Sequence, residues 1–439
     1  MANERALTYA NTLSTLIKAD TVSVKGKPNK KKFHSFHKLL FSIYPNFFKT
    51  VEFTDFSGSF LCKLKGESSE NPVLFMNHMD VVEASGKWKH GAFSGKIIEG
   101  KVWGRGALDN KGGLFAMLQG IEELLENGFV PKNDIYFMSS CTEETDGSGA
   151  HLIAEHLTKK NIRFSFVLDE GGMIIEEPLA GTKGKFAMVG VGEKGIVTLK
   201  FVATSNGGHS SAPQKNSPLV RLGKFMAHIE NKQPFKAKLS PTVKELFKRL
   251  AKNMRSPLRL VLAHPTFFSP ILKRAIPKAS TSAGAMLQTT LAFTMAQGSD
   301  GDNVIPNTAY IIGNMRLCAH QGMEESMAIL QKIASRYGVE IIVEEENPPT
   351  SLTDHNGEAF KAVESVIKQT FPAVEVVPYY MVGASDCRYM ADLSDNCLRF
   401  IPFVISNAQL DNIHGTNENV NIKSLPLAVD FYKNLIKGL

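Results

Sequence analysis

The pattern of apolar and polar positions divides the chain into three stretches. In the first, apolar residues at helical spacing predict helices over residues 4–18 and 30–43, and strand-like runs lie around 51–55 and 59–65. The run Val73 to Met76, in LFMNHMDVV, is uninterrupted, as in a strand buried on both faces. A glycine-punctuated hairpin follows in GKIIEGKVWGRG, and then Asn110 to Gly128, helical in spacing and closed by a glycine. Strand DIYFMSS, helix SGAHLIAEHL and strand FSFVLDE complete the stretch. Strands alternating with helices predict an α/β fold, a mixed and largely parallel sheet flanked by helices. In such sheets the chemistry lies outside the C-terminal strand ends.

Near Gly192 the character changes. GIVTLKFVATS reads as a lone strand and Pro218 to Glu230 as a helix, and residues 237–285 are helical, basic and broken by prolines. Strands return in AMLQTTLAFTMAQ and AYIIGNMRL, followed by a helix over 323–336 and a strand in VEIIVEEE. This order predicts an α+β domain over 193–349, inserted into a catalytic domain made of 1–192 and 350–439, with NPPTSLTDHNG as the return linker. GVGEKG (Gly190 to Gly195) has GxGxxG spacing, but a strand pattern follows it instead of a helix. It reads as a hinge, not a dinucleotide site.

Composition narrows the setting. At 439 residues, 43% hydrophobic and 21% charged, the chain is an ordinary globular protein of two or three domains. No apolar run approaches the roughly 18–20 residues of a membrane helix, and the first twenty residues lack the apolar core of a secretory leader. Five cysteines without CxxC spacing suit reduced thiols in a cytoplasm. The net charge of +7 is partly concentrated in KGKPNKKKFHSFHK, Lys25 to Lys38, with no nucleic-acid motif beside it. The expectation is a cytoplasmic protein acting on a small molecule, with neither a nucleic acid nor a membrane as partner.

Acidic residues and histidines then fall where apolar strands give way to loops. His78 and Asp80 end one strand, Asp109 precedes a helix, Glu143 and Glu144 end the next strand, and Asp169 and Glu170 end another. His414 sits in the polar loop DNIHGTNE. Singly, each has a plain explanation as turn chemistry, a solvated helix start or a hydrogen-bonded histidine. Together at one sheet edge they form an anionic pocket whose carboxylates repel one another unless a cation joins them. Two histidines with three carboxylates suit a pair of divalent metals, and the Glu143-Glu144 pair offers one ligand and one free base. His78 and Asp80, two apart on a strand, suit a ligand and the carboxylate that orients it. His151 and His156 are not at i, i+4 and HLIAEH is not HExxH, so they read as ordinary helix residues.

NHMDVV, GRGALDNKGG, TEETDGSGA, LDEGG, GGHSSAP and IHGTNE resemble, in order over about residues 70 to 425, the motifs of one metallopeptidase family. That family includes aminoacylase, glutamate carboxypeptidase and carboxypeptidase S. AMLQTTLAFTMAQGSDGDNVIPN and GASDCRYM are most similar to its carboxypeptidase S branch, which includes enzymes acting on N-fatty-acyl amino acids. The resemblance implies two divalent ions per chain, zinc with cobalt or manganese as alternatives. One would be held by His78, Asp109 and Asp169, the other by Asp109, Glu144 and His414, with Asp109 bridging.

It further implies Glu143 as general base, Asp80 as the orienter of His78, and a cis Asp109–Asn110 peptide. His209 would stabilise the oxyanion, which in dimeric members happens in the partner subunit's site. A homodimer through a ferredoxin-like lid/dimerisation domain follows. Asn303, Arg316, Gly383 and Arg388 match substrate contacts, with an arginine as the fork for a free carboxylate. Gln288 stands where the branch usually has arginine, and GSDGDN replaces a glycine pair and a lysine, which puts acyl-group preference in doubt. The expected activity is two-metal hydrolysis of an amide bond beside a free carboxylate, in a dipeptide, a short peptide or an N-acyl amino acid. The alternative is a catalytically silent binder of amino acids or peptides on the same scaffold.

Overall fold

A computed structural model describes residues 2–27, 29–179, 181–255 and 257–439. Strands Ser68–His78, Asn133–Ser140 and Phe166–Asp169 run parallel at the centre of a ten-stranded mixed sheet. Side chains alternate across a strand, so Val73 and Phe75 join one core and Leu74 and Met76 the other. The first core contains residues of helices Ala2–Lys18, Lys111–Glu126, Glu358–Thr370 and Ser424–Gly438, with Phe75 packed edge-on to Tyr432. The second is covered by helix Ser148–Lys159 and the turn Asp386–Met390. This double cover is why the strand sequence is apolar without alternation.

Antiparallel strands Glu52–Phe56 and Ser59–Leu64 extend one side of the sheet. On the other, Cys397–Arg399 runs parallel to Phe166–Asp169, and Lys185–Glu193 pairs with Ile174–Glu176 and Val374–Met381. The central strands point their C-terminal ends the same way. The sequence order therefore delivers His78, the Glu143-Glu144 turn and Asp169 to one edge.

Gly195–Thr204 opens a four-stranded antiparallel sheet with Thr290–Gln297, Thr308–Leu317 and Glu340–Asn347. With helices Pro218–Lys232 and Met323–Ala334, the order is βαββαβ, and the chain-order strand positions 2-3-1-4 are those of a ferredoxin-like unit. Its core, from Val197 and Phe201 to Phe225, Met315 and Leu330, is separate from those of the large sheet.

The proline-broken stretch behaves differently from the rest of this segment. Helices Pro241–Lys252, Leu258–Ala263 and Ser269–Ala279, with Leu287 after the short helix Thr281–Ala285, form a core with Phe186, Met188 and Val377 of the large sheet. Arg249 donates to Glu364 and to the Val376 carbonyl there. The strand expected from Ala285 begins only at Thr290, because Ser280 caps the short helix and Leu287 is buried in the helical core. Among the described residues no helix is long and apolar enough to cross a membrane.

Between the two sheets lies Glu193-Lys194, within GVGEKG. Glu193 accepts from Arg399 and from the Ser385 amide, all three residues being buried. Lys194 is 2% exposed and donates to the carbonyls of Ala285 and Gln288 at 3.1 and 2.9 Å. The hinge is thus fastened to both the large sheet and the helical excursion. Burial lowers the Lys194 pKa from 10.5 to about 8, against the small opposing effect of Cys318.

Between about pH 8 and 10.5 the unfolded chain holds a proton on Lys194 that the native state releases, so this residue makes stability rise with pH in that window. Below about 8 both states are protonated and the slope vanishes. Lys194→Met should flatten the alkaline part of the stability curve relative to the parent, as read from urea midpoints across that range.

Candidate active site

The site begins with the loop from Arg105 to Asn110, which carries Asp109 to the strand edge. Glu418, fully buried, organises it from a distant part of the chain. One Glu418 oxygen accepts the amides of Leu108 and Asp109 at 2.8 and 3.0 Å. The other accepts Arg105 Nη1 at 2.8 Å and the Gly106 amide at 3.1 Å. The Asp109–Asn110 peptide is cis. Helix Lys111–Glu126 then starts at once, and Gly113 must be glycine. A Cβ there would lie 2.2 Å from Asn110 Oδ1 and 2.4 Å from Asn77 Oδ1.

Asp109 faces two imidazoles. Its Oδ1 is 2.9 Å from His78 Nε2 and its Oδ2 is 3.0 Å from His414 Nε2. His414 Nε2 is also 3.0 Å from Glu144 Oε2. Donor atoms of His78, Asp109 and Glu144 all lie within 4.8 Å of one another, a spacing that can hold a metal ion. One carboxylate therefore sits between two histidines, each oxygen turned to a different ring.

His78 is aimed from behind. Its Nδ1 is 3.0 Å from the Asp80 carbonyl and 3.4 Å from Asp80 Oδ1. Asp80 does more than orient it. Its Oδ2 accepts the Ser23 hydroxyl at 2.6 Å and the Glu144 amide at 3.1 Å, which ties the His78 strand end to the Glu143-Glu144 turn.

Asp169 ends its strand with Oδ2 accepting the Cys387 amide at 2.8 Å, so one oxygen is anchored. Glu170, beside it, lies in the field of Asp109, Asp169 and Glu144. Asp386 is buried with neither carboxylate oxygen hydrogen-bonded. Asp386 and Glu418 were both missed in the sequence. Asp386 lies inside GASDCRYM and Glu418 inside IHGTNE, but neither motif by itself says what its carboxylate holds.

The titration behaviour follows from crowding. Burial, then Asp169 and Asp80, pushes the Asp386 carboxyl up to about 8. Burial likewise raises Glu143 well above the carboxylate range, opposed by His78 and reinforced by Asp386, Glu170 and Glu144. Glu144 is raised by burial and by Asp109. Burial would also raise Asp109, but the His414 and His78 hydrogen bonds hold it well below the ordinary value. In return, hydrogen bonds to Asp109 and Glu144 push His414 up to about 10.

With so many carboxyls around two imidazoles, the donor set has the chemistry of a cation site. Glu144 Oε1 is buried without a protein hydrogen-bond partner, which fits a metal-ligand atom.

The predicted substrate residues fall in two places. Arg316, on strand Thr308–Leu317, and Arg388, in the turn Asp386–Met390, repel each other. Burial and then Arg388 lower the Arg316 pKa, and Glu193 partly offsets them. Arg316 Nε donates to Asn314, Arg388 Nε to the Ser385 carbonyl, and Gly383 lies two residues before that serine. His209 lies on the two-stranded ladder of Gly208–His209 with Val304–Ile305, and Asn303, in the turn just before it, accepts the Ser210 amide on its carbonyl. Both are exposed, His209 pairs with Ser211, and among the described residues no hydrogen bond or ion pair joins His209 to the carboxylate cluster. His151 pairs with Glu155 on the helix surface and His156 packs on Phe56.

One family, two relatives and two solved structures resemble this chain. The profile of peptidase family M20/M25/M40 matches residues 74–438. A Dictyostelium discoideum protein named "Probable carboxypeptidase S-like 2" is 33% identical over 425 residues, covering 94% of this chain and 80% of that relative. The human "N-fatty-acyl-amino acid synthase/hydrolase PM20D1" is 28% identical, covering 100% and 89%. Among solved structures, an M20 metallo-carboxypeptidase from Sulfolobus solfataricus has a TM-score of 0.73 at 20% identity, over 98% of both chains. Human carnosine dipeptidase 1 has a TM-score of 0.69 at 14% identity, over 99% of this chain and 97% of its own.

Glu418→Ala should leave Arg105 as an uncompensated buried charge and cost about 3–5 kcal/mol of stability. Because the same carboxylate holds the Asp109 amide, metal content should fall as well. Denaturant unfolding and elemental analysis of the purified variant measure the two effects separately.

Proposed function

The chain belongs to peptidase family M20/M25/M40, a family of hydrolases of peptide and amide bonds that use divalent metals, and on that premise we propose a two-metal hydrolase of an amide bond beside a free carboxylate. Its substrates are N-acyl amino acids, dipeptides or the C-terminal bond of short peptides. The observation that carries the proposal is Asp109, one oxygen to His78 and the other to His414, within a ring of buried carboxyls. His78, Asp109 and Asp169 would hold one ion and Asp109, Glu144 and His414 the other, zinc in preference to cobalt or manganese.

Bound there, divalent cations polarise a carbonyl and ease the deprotonation of water. The chain supplies the remaining chemistry. Among the described residues no hydrogen bond or ion pair holds the Glu143 carboxyl, and it takes the proton of the attacking water and returns it to the leaving amine. Asp80 positions His78 and, through the Glu144 amide, the turn that presents Glu143. Arg316 and Arg388 receive the substrate's carboxylate, whose charge relieves their mutual repulsion. Asn303 joins them on the substrate side. His209, exposed on its own chain, would serve the oxyanion in a second copy's site, in a homodimer formed through the four-stranded sheet.

A panel of dipeptides and N-acyl amino acids, run with metal analysis, tests the activity. Binding without cleavage by metal-loaded protein would favour the silent-binder alternative.

Two variants test the parts. Glu143→Ala should lose about 10²–10⁴-fold in kcat while metal content stays unchanged. Arg316→Ala should lower kcat/KM about 10- to 100-fold for a substrate with a free carboxylate, and much less for the corresponding carboxamide.

A further inference from the structure

Between Glu245 and Asp300 the sequence contains eight lysines and arginines and no acidic residue, one positive charge more than the net +7 of the whole chain. Outside it the chain is close to neutral. Arg249 and Lys252 pair with Glu364 and Glu375, but Arg255, Arg259, Lys273, Arg274 and Lys278 form no ion pair among the described residues.

The same stretch shows more apolar surface than its core takes up. Leu262 and Leu272 are buried against the large sheet, with Val261 and Ile276 partly so. Outward stand Leu258, Leu260, Phe267 and Ile271, with Phe267 81% and Leu260 61% exposed. Ile271, Arg274 and Lys278, at i, i+3 and i+7, share the outer face of helix Ser269–Ala279, and all three are exposed. Apolar and cationic side chains are therefore interleaved on one exposed helical excursion.

This pairing decides between occupants. A second copy docked symmetrically would set the patch against itself, cation against cation with no carboxylate to separate them. A nucleic acid would match the charges but give Phe267, Leu260 and Ile271 nothing to enter. An anionic lipid surface meets both needs, phosphate and carboxylate headgroups for the basic residues and the acyl boundary for the apolar ones. We propose that the helical excursion 257–279 docks the protein on anionic membrane surfaces, with Leu258, Leu260, Phe267 and Ile271 entering the interface. The inference does not rest on the catalytic reading. It revises the expectation of no membrane partner, which followed from the lack of a spanning segment, since a helix lying in the interface needs no span.

The test is co-sedimentation of the full-length chain with phosphatidylcholine vesicles, with and without roughly 30% phosphatidylserine, at low and high salt. Binding should be at least tenfold stronger to the anionic vesicles and should weaken with salt. The triple variant Arg259→Glu, Arg274→Glu, Lys278→Glu should lose about fivefold or more per residue. Phe267→Ser with Ile271→Ser should also weaken binding, and both variants should keep a cooperative melt and unchanged turnover of a soluble dipeptide.

No preference for anionic vesicles, or full binding by the triple variant, would overturn the proposal. A concentration-dependent dimer abolished by Phe267→Ser, without vesicle binding, would assign the patch to a second copy instead. Stronger binding to polyglutamate than to vesicles would assign it to an acidic protein.

Discussion

The buried negative charge at the C-terminal ends of the central strands is the constraint on which the rest of the site depends. Asp80, Asp109, Glu143, Glu144, Asp169, Glu170 and Asp386 converge around His78 and His414. Carboxylates gathered in a poorly solvated pocket repel, and the pKa values of Glu143, Glu144 and Asp386 rise accordingly. Two imidazoles relieve only part of that charge. In the proposed reading divalent cations would relieve the rest, so the feature that would destabilise an ordinary fold would define a metal site here.

Holding such a cluster requires anchors that lie outside it. Glu418 fixes the Asp109 loop through three backbone amides and Arg105, and the Arg105 guanidinium neutralises it. Asp80 links two adjacent strand ends, and Ser23, from the segment after the first helix, fastens Asp80 in turn. Asp169 is held by the Cys387 amide, in the turn that also supplies Asp386 and Arg388. Asp109, Glu144 and Asp169 are thus each held by a hydrogen bond to another element, through the backbone amide for the first two and the carboxylate for the third, which leaves few ways for the pocket to relax by moving apart.

The same turn connects the pocket to the second sheet. Ser385 and Arg399 meet Glu193 at the hinge, and the next residue, Lys194, reaches the excursion and the start of strand Thr290–Gln297. Arg316 lies on the neighbouring strand of that sheet and Arg388 in the turn. An anion bound between the two arginines would therefore draw together parts that the hinge already joins. The excursion itself has two faces, one closing the edge of the large sheet and the other exposed, basic and apolar.

Much of this was legible in the sequence, because it is written in short-range pattern. Uninterrupted apolar runs mark strands buried on both faces, and they end where His78, the Glu143-Glu144 turn and Asp169 begin. Parallel order then forces those ends to one edge. The βαββαβ order of the inserted segment was likewise readable from periodicity.

What the sequence could not hold is pairing between distant groups. A glutamate in a polar loop looks the same whether it binds water, as most do, or three buried amides, as Glu418 does. Asp386 is a turn residue until a strand end is packed over it. The helices of 241–285 have an apolar side in any case, and only the tertiary structure decides that it covers the large sheet instead of the small one. Periodicity records which side of an element is apolar. Which partner covers it, and which charge meets which, depends on distances set after the elements have packed.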